Sequence, residues 1–374
     1  FDISIFRTSK PFSLGTDHYS QSLFPPFPAT IYSAIRTAML NENNISYQDF
    51  YENRLFDKIA EEVGSPQKIG SLRLAGSFLK KETSFFSAPF DLIKLNEEKS
   101  GQNKFDTIKI RKDRFSRNSS VFEYSPVFNP DSAGKVNSYL SAANFKKYLL
   151  NDYSFEINGI VDSSQIFQRD KRFCIGVNDL TNSVEEGLLY ISEVIYLNEE
   201  WSIIAAGENF SSLKSKGVLN LGADSRAFSY KKNQNDIFKN FDDSFKTKLK
   251  EKTMKTGKFK LVFLTPVFFK NGWLSEKIDN EMILSINGID IKLLCALTER
   301  PQKIGGFDMF KKIPKPLYNL LPAGSVFIFE LTHGANQQTV DKLFETFFLK
   351  NFNDEDAEFS ADFLGFGLTI LGGL

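Results

Sequence analysis

A chain of 374 residues with 46 basic and 46 acidic side chains carries no formal net charge, which excludes a protein that coats long nucleic acid by charge alone. Its length exceeds one small core and predicts two domains, and 41% apolar with 25% charged residues is the balance of an ordinary globular protein. The two cysteines, Cys174 and Cys295, and the two histidines, His18 and His333, lie far apart, so the sequence offers no zinc ribbon, histidine metal cluster or disulfide framework. Two buried thiols in a reducing cytoplasm are the expectation, no cofactor is implied, and no apolar run reaches the ~20 residues that cross a bilayer.

In chain order, residues 1–7 ("FDISIFR") alternate apolar and polar side chains and predict a strand. A Gly- and Pro-containing loop follows and ends in "FPPFP" (24–28). Ile31, Ala34, Ile35, Ala38 and Met39 then recur at helical spacing, predicting a helix over 29–40 with Thr30 as its cap and with Ser33 and Arg36 off the apolar stripe. Strand, long loop and amphipathic helix make the opening of a β-α-β-β-α-β unit. A second helical stretch is predicted at 48–63, a strand at 69–80, an aperiodic mobile hairpin or loop over the basic segment 96–120, and a helix over 135–151. Near 160 the pattern resets. Strands are predicted at 172–178, 187–197 and 201–207, with 198–201 turning the second into the third, then at 217–229, 259–264 and 326–331, before a helix at 339–349. Phenylalanine, with 39 copies, carries much of the strand signal. The mixture predicts an α+β fold in two similar halves, 1–160 and 161–374, with no sequence repeat relating them.

Charge is segregated although it sums to zero. Residues 104–117 hold six basic and two acidic side chains, residues 239–260 eight lysines against three acids, and acids concentrate in "NDEDAEFSAD" (353–362). Such a distribution permits a basic groove on one face and an acidic, protein-facing surface on another.

The segment "KPFSLGTDHYSQSLFPPFPATIYSAIRTAML" (10–40) sets Gly15, an Asp17–His18 pair, Phe24-Pro25-Pro26, Pro28 and a helix containing Ala34-Ile35-Arg36-Thr37-Ala38 in one order. Downstream come "LRLAGSFLKKETSFFSAPFDLIK" (72–94), "EEGLLYISEVIYL" (185–197), "LNLGADSRAF" (219–228), "LTPVFFKNGW" (264–273), "ERPQKIGGFD" (299–308), "PKPLYNLLPAGSVFIFE" (314–330) and "GFGLTILGG" (365–373). Together they resemble the Cmr-type RAMP subunit of type III-B CRISPR effector complexes, the third subunit, which grips the 5′ handle of the guide RNA. The resemblance spans nearly the whole chain. Ser77, Ala223 and Ser87 stand where the family has proline, glycine and proline, which bears on local loop shape. It implies two ferredoxin-like, RRM-related domains, a non-catalytic role in antiviral defence, and location in the cytoplasm. The partners it implies are the crRNA 5′ handle, the large polymerase/cyclase-type subunit, a backbone RAMP subunit and, indirectly, target RNA.

The same residues read physically as an RNA-binding set. Gly15, Asp17, His18 and Tyr19 lie in a loop (13–22) that offers exposed amides, an imidazole and a stacking ring to single-stranded RNA. Arg36 can hold a phosphate or a base, or else pair with Asp17 or another carboxylate of its own chain. Lys270 and Asn271 can bond phosphate and base edges, and Trp273 offers a stacking face or a buried anchor. Arg300 and Lys303 flank the flexible Gly305–Gly306, and Lys311, Lys312 and Lys315 follow, predicting an RNA- or partner-facing loop. Gly365 and Gly367 are not a dinucleotide fingerprint, because no helix and acidic residue follow them. They permit close backbone approach, either to RNA phosphate or within the sheet. His18 beside Asp17 is the one set that suggests metal-independent RNA cleavage, and the resemblance to a non-nuclease branch argues against it.

Overall fold

The computed structural model describes residues 3–9, 12, 15–96, 104–112, 122–178, 180–181, 183–234 and 236–374. They form a mixed α+β protein divided into two compact units, each assembled from three stretches of chain. Unit 1 comprises 1–77, 164–234 and 303–318, and unit 2 comprises 78–163, 235–302 and 319–374. Among the described residues no helix is long and apolar enough to cross a membrane.

Unit 1 is organised by one helix and one long ribbon. The helix runs Pro28–Glu42 and buries Ile31, Tyr32, Ala34, Ala38, Met39 and Leu40, as the predicted stripe requires. Thr30 does not cap it. Pro28 occupies the first turn, where its missing N–H costs nothing, and Phe27 precedes it without a side-chain cap bond. The helix expected at 48–63 is two short ones, Tyr47–Tyr51 and Asp57–Val63, interrupted where Asn53 takes a left-handed φ of 55°. Strands Phe167–Val177 and Val184–Leu197 pair antiparallel, and Trp201 N–H bonds back to Asn198 O (2.9 Å) in the expected turn. The strand expected at 217–229 is a hairpin, Lys216–Asn220 with Ala227–Lys231. The opening segment forms no strand within its described residues; it makes isolated bridges, Ser4 with Ile195 and Arg7 with Ser22. Buried carboxylate Glu62 anchors a surface loop by accepting the N–H of Ser211 and of Ser212, 2.9 Å each.

Unit 2 holds a five-stranded antiparallel sheet. Its neighbours in order are Ile283–Ile286, Ile289–Leu297, Val326–Leu331, Lys258–Phe263 and Thr369–Gly372. The Gln337–Phe347 helix connects the third to the last, burying Val340, Leu343, Phe344 and Phe347, whereas no helix lies between 264 and 282. The phenylalanines read as strand signal are this core: Phe259 stacks on Phe329 at 5.7 Å, and Phe263 meets Phe327 edge-on at 5.3 Å. Inside it Lys260 donates to Asp91 (2.6 Å), whose other oxygen accepts the Tyr148 hydroxyl (2.5 Å). Burial first, and the Asp91 carboxylate second, push that hydroxyl well above its ordinary range. The predicted 135–151 helix is shorter, Ala142–Leu149, because Ser141 caps it by accepting Asn144 N–H and 138–141 is a strand. Within 96–120 the described residues are strands, Phe105–Thr107 and Lys109–Lys112, paired to Leu92–Leu95 and Tyr124–Val127; residues 97–103 and 113–120 lie outside the described part. Cys295 is buried, its thiol pushed up to about 11 by that burial, but Cys174 sits half-exposed on the ribbon.

Candidate nucleic-acid interface

The alternation of the ribbon assigns its side chains to two faces. Arg169, Lys171, Phe173 and Ile175 point one way, opposite Ile195, Glu193, Ile191 and Leu189, up to the irregularity between Ile175 and Val177. Tyr19–Ser20 adds a short parallel strand to this ribbon, Tyr19 beside Ile191 and Ser20 beside Ser192, and His18 O accepts the Ile191 N–H (2.8 Å). The Tyr19 ring is 41% exposed with the Lys171 ammonium 5.6 Å from its centroid.

A buried carboxylate holds this geometry. Glu193 accepts bonds from Tyr19 hydroxyl (3.3 Å), Ser22 N–H (3.2 Å) and Arg169 Nη1 (2.7 Å), while Arg169 also reaches Ser22 O (2.7 Å). Burial first, and then Glu193, raise the Tyr19 hydroxyl above its ordinary pKa. On the ribbon's other face Phe12 packs on Tyr190 (5.0 Å) beneath Arg7 (5.9 Å), and a Cβ on Gly15 would sit 3.2 Å from Leu188 Cδ2. Gly15 also has φ +85°, so glycine is what lets the loop lie against the ribbon. Each face thus pairs a ring with a cation about 5–6 Å away, Tyr19 with Lys171 on one and Phe12 with Arg7 on the other, and the exposed Tyr19–Lys171 pair is the kind on which a base stacks.

Six of the residues singled out in the sequence, Gly15, Asp17, His18, Tyr19, Arg36 and Lys303, belong to unit 1. Asp17 is half-buried, His18 is exposed, and Ser9 Oγ donates to Lys303 O at 2.6 Å. Arg36 is committed to its own chain, though not to a carboxylate. Its Nε donates to Val63 O (2.8 Å), its Nη2 to Ser65 O (2.7 Å), and the guanidinium lies 4.8 Å from the Phe50 ring centroid. Burial lowers its pKa.

The other six, Lys270, Asn271, Trp273, Arg300, Gly365 and Gly367, belong to unit 2. Lys270 pairs with Glu276 (2.7 Å) and its N–H donates to Asp354 (2.9 Å); Asn271 and Arg300 are exposed. Trp273 is half-buried against Phe122 at 5.6 Å. The terminal glycines are buried and serve the fold. Gly365, φ +90°, ends the Ala361–Leu364 turn, and Gly367, φ +69°, donates to Pro266 O while a Cβ there would lie 2.4 Å from Asn353 Nδ2. The close approach at Gly367 is to the Asn353 side chain of its own chain. Nor is 353–362 a uniformly solvated acidic face: Asp354 is buried, accepting the N–H groups of Lys270 and Glu276.

The family model described as CRISPR-associated protein (Cas_Cmr3) matches residues 1–374. The chain belongs to that family. As a Cmr3-type protein it is a subunit of a type III-B CRISPR effector. No curated protein matches it. Two solved structures of similar outline are a chain of the Type III-B Cmr-beta bound to cognate target RNA and one of the same assembly bound to cognate target RNA and AMPPnP (state 1). Their TM-scores are 0.46 and 0.45; both are 13% identical, covering 88% of this chain and 84% of the other.

Sequence reasoning missed Glu193 and Arg169. The available signal was parity: in "GLLYISEVIYL" Glu193 shares a face with Leu189, Ile191 and Ile195, and a carboxylate on an apolar face calls for a buried partner. That the partner is Arg169, with Ser22, depends on the antiparallel register and the loop's return. Among the described residues no group of His, Cys, Asp and Glu is arranged to hold a metal ion.

Proposed function

We propose that this subunit seats the 5′ handle of the guide RNA on the loop–ribbon face of unit 1 and docks the large polymerase/cyclase-type subunit onto the RAMP backbone. The observation that carries the first part is Tyr19, exposed beside Lys171 and locked by Glu193 and Arg169. A flat ring beside a cation, on a strand that cannot easily shift, lets a base stack without reorganising the protein. Gly15, Asp17 and His18 would line the same face, Lys303 would contact RNA elsewhere on unit 1, and Lys270, Asn271, Trp273 and Arg300 would form a separate contact set on unit 2. Arg36, Gly365 and Gly367 would serve indirectly, by holding the scaffold.

The role is non-catalytic, and no cofactor is needed. His18, exposed and on a strand entry, has no acid–base partner bonded to its imidazole among the described residues. In the two-domain reading, residues 1–160 and 161–374 are ferredoxin-like units. Support comes from the unit 2 strands Thr369–Gly372, Lys258–Phe263, Val326–Leu331 and Ile289–Leu297, whose order is the one a β-α-β-β-α-β chain adopts with its first crossover helix missing.

The test is binding of a guide bearing its native handle against one bearing a scrambled handle of equal length. Tyr19→Ala should weaken native-handle binding by about 1–3 kcal/mol, and Lys171→Ala should reduce the salt slope by about one. Equal affinity of both variants and the parent for the two guides would overturn the proposal.

A further inference from the structure

Unit 1 carries a second surface that the handle reading does not use. The Phe307–Asp308 and Ile313–Pro314 strands form a small hairpin, on which Phe307, Met309, Phe310 and Ile313 are exposed, Met309 by 69%. Phe310 meets Tyr51 at 5.7 Å, and Tyr51 leads inward to Phe50 at 5.8 Å. The hairpin is thereby joined to the helix Tyr47–Tyr51, where Tyr47 is exposed too, as is Phe56 beyond it. So many large apolar side chains on two touching segments are a patch rather than scattered singles.

Its rim is cationic. Lys311, Lys312 and Lys315 make no side-chain ion pair with another described residue. The hairpin's own acid, Asp308, is spent on its turn, accepting the N–H groups of Phe310 and Lys311 at 2.9 Å. Those bonds hold its carboxyl below the ordinary range, the Lys311 amide having the largest effect. The patch therefore presents three lysines around an apolar centre against one carboxylate, Asp308, whose charge faces Lys315 and Lys311, and so keeps a positive excess. Phe307, Phe310 and Tyr51 present flat rings, but Met309, Ile313 and Leu317 are exposed among them, and such thioether and aliphatic groups adapt to the apolar side of a helix rather than to a base.

We propose that this patch is the receptor for an acidic amphipathic segment of another protein subunit of the effector. Apolar side chains of that segment cover Met309, Phe310 and Tyr51, and its carboxylates meet Lys311, Lys312 and Lys315. The inference goes beyond the handle reading and does not rest on it.

The experiment is photocrosslinking from Met309→p-benzoylphenylalanine in the full chain assembled into the effector, with adducts mapped by mass spectrometry. The expected adduct is a peptide of a different protein subunit with Asp or Glu flanking the attachment point. Its yield should fall about tenfold in Lys311→Glu/Lys312→Glu and persist in Lys311→Arg/Lys312→Arg. Adducts to RNA or to another copy of this chain, no adduct, or a yield unchanged by charge reversal would each overturn the proposal. Crosslinks from the Tyr19 loop to the handle, read in the same preparation, report separately on the handle interface.

Discussion

The two units dispose of their large apolar side chains in opposite ways. The largest side chains below 2% exposure, among them Phe86, Phe145, Phe259, Phe327, Phe329 and Phe366, all lie in unit 2. Of the large apolar side chains left exposed among the described residues, all but Phe128, Ile157 and Phe363 lie in unit 1. A five-stranded sheet with a helix packed on it buries both the side chains it alternates inward and those the helix brings. A two-stranded ribbon has no second layer, so Phe173, Ile175, Val177 and Leu189 stay in water. The division shows which unit closes its own core and which leaves large apolar side chains on its surface.

The contrast breaks most visibly at the buried ion pair of unit 2. Lys260→Ala leaves Asp91 charged in the core, with the Tyr148 hydroxyl as its remaining side-chain donor, and should cost about 3–5 kcal/mol in denaturant unfolding. A loss under about 1 kcal/mol would mean that water reaches the site and that unit 2 is not the closed core described. A paired measurement then sharpens the comparison. Phe329→Ala should cost about 3 kcal/mol or more. Phe173→Ala, 77% exposed, should stay within about 0.5 kcal/mol for the free chain and show its effect only on assembly. Comparable losses in the free chain would erase the distinction.

The smallest effect expected is a titration in unit 1. Burial raises the Glu62 pKa, but the hydrogen bonds from Ser211 and Ser212 together outweigh it and hold the carboxyl below its ordinary value. A depressed native pKa contributes stability that is present above the unfolded value, about 4.3, and is lost as pH falls through the native one. Protection of the Ser211 and Ser212 amides, measured as exchange relative to the intrinsic rate at each pH, should therefore fall below about pH 4 in the parent. Glu62→Gln should remove that pH dependence, and a dependence that survives the substitution would assign it to another group.

Legibility followed the range of the interactions. The Pro28–Glu42 helix and the ribbon strands were readable because residues 3–4 or 2 apart report which side faces the core. The breaks were not: Asn53 splits a helical pattern, and Ser141 begins a helix seven residues later than its apolar period suggests, through backbone geometry that periodicity does not encode. Within the candidate site, the loop of Gly15 to Tyr19 was singled out by residue type, while the Glu193 carboxylate bonded to it was not.

What the sequence determined by itself was membership of the Cas_Cmr3 family, through motif blocks whose order survives without any knowledge of distance, and the amphipathic sides of the main elements. What the tertiary structure decided was the partner of each polar side chain. Arg36 looked free for RNA until the chain 27 residues on returned Val63 O and Ser65 O to it, and Arg169 finds Ser22 across 147 residues. Gly367 permitted close approach either to phosphate or to protein, and the fold sets the Asn353 side chain where a Cβ would be. A side chain's type fixes what it can bond, but only folding sets which acceptor lies within 3 Å, because that distance depends on how distant segments pack.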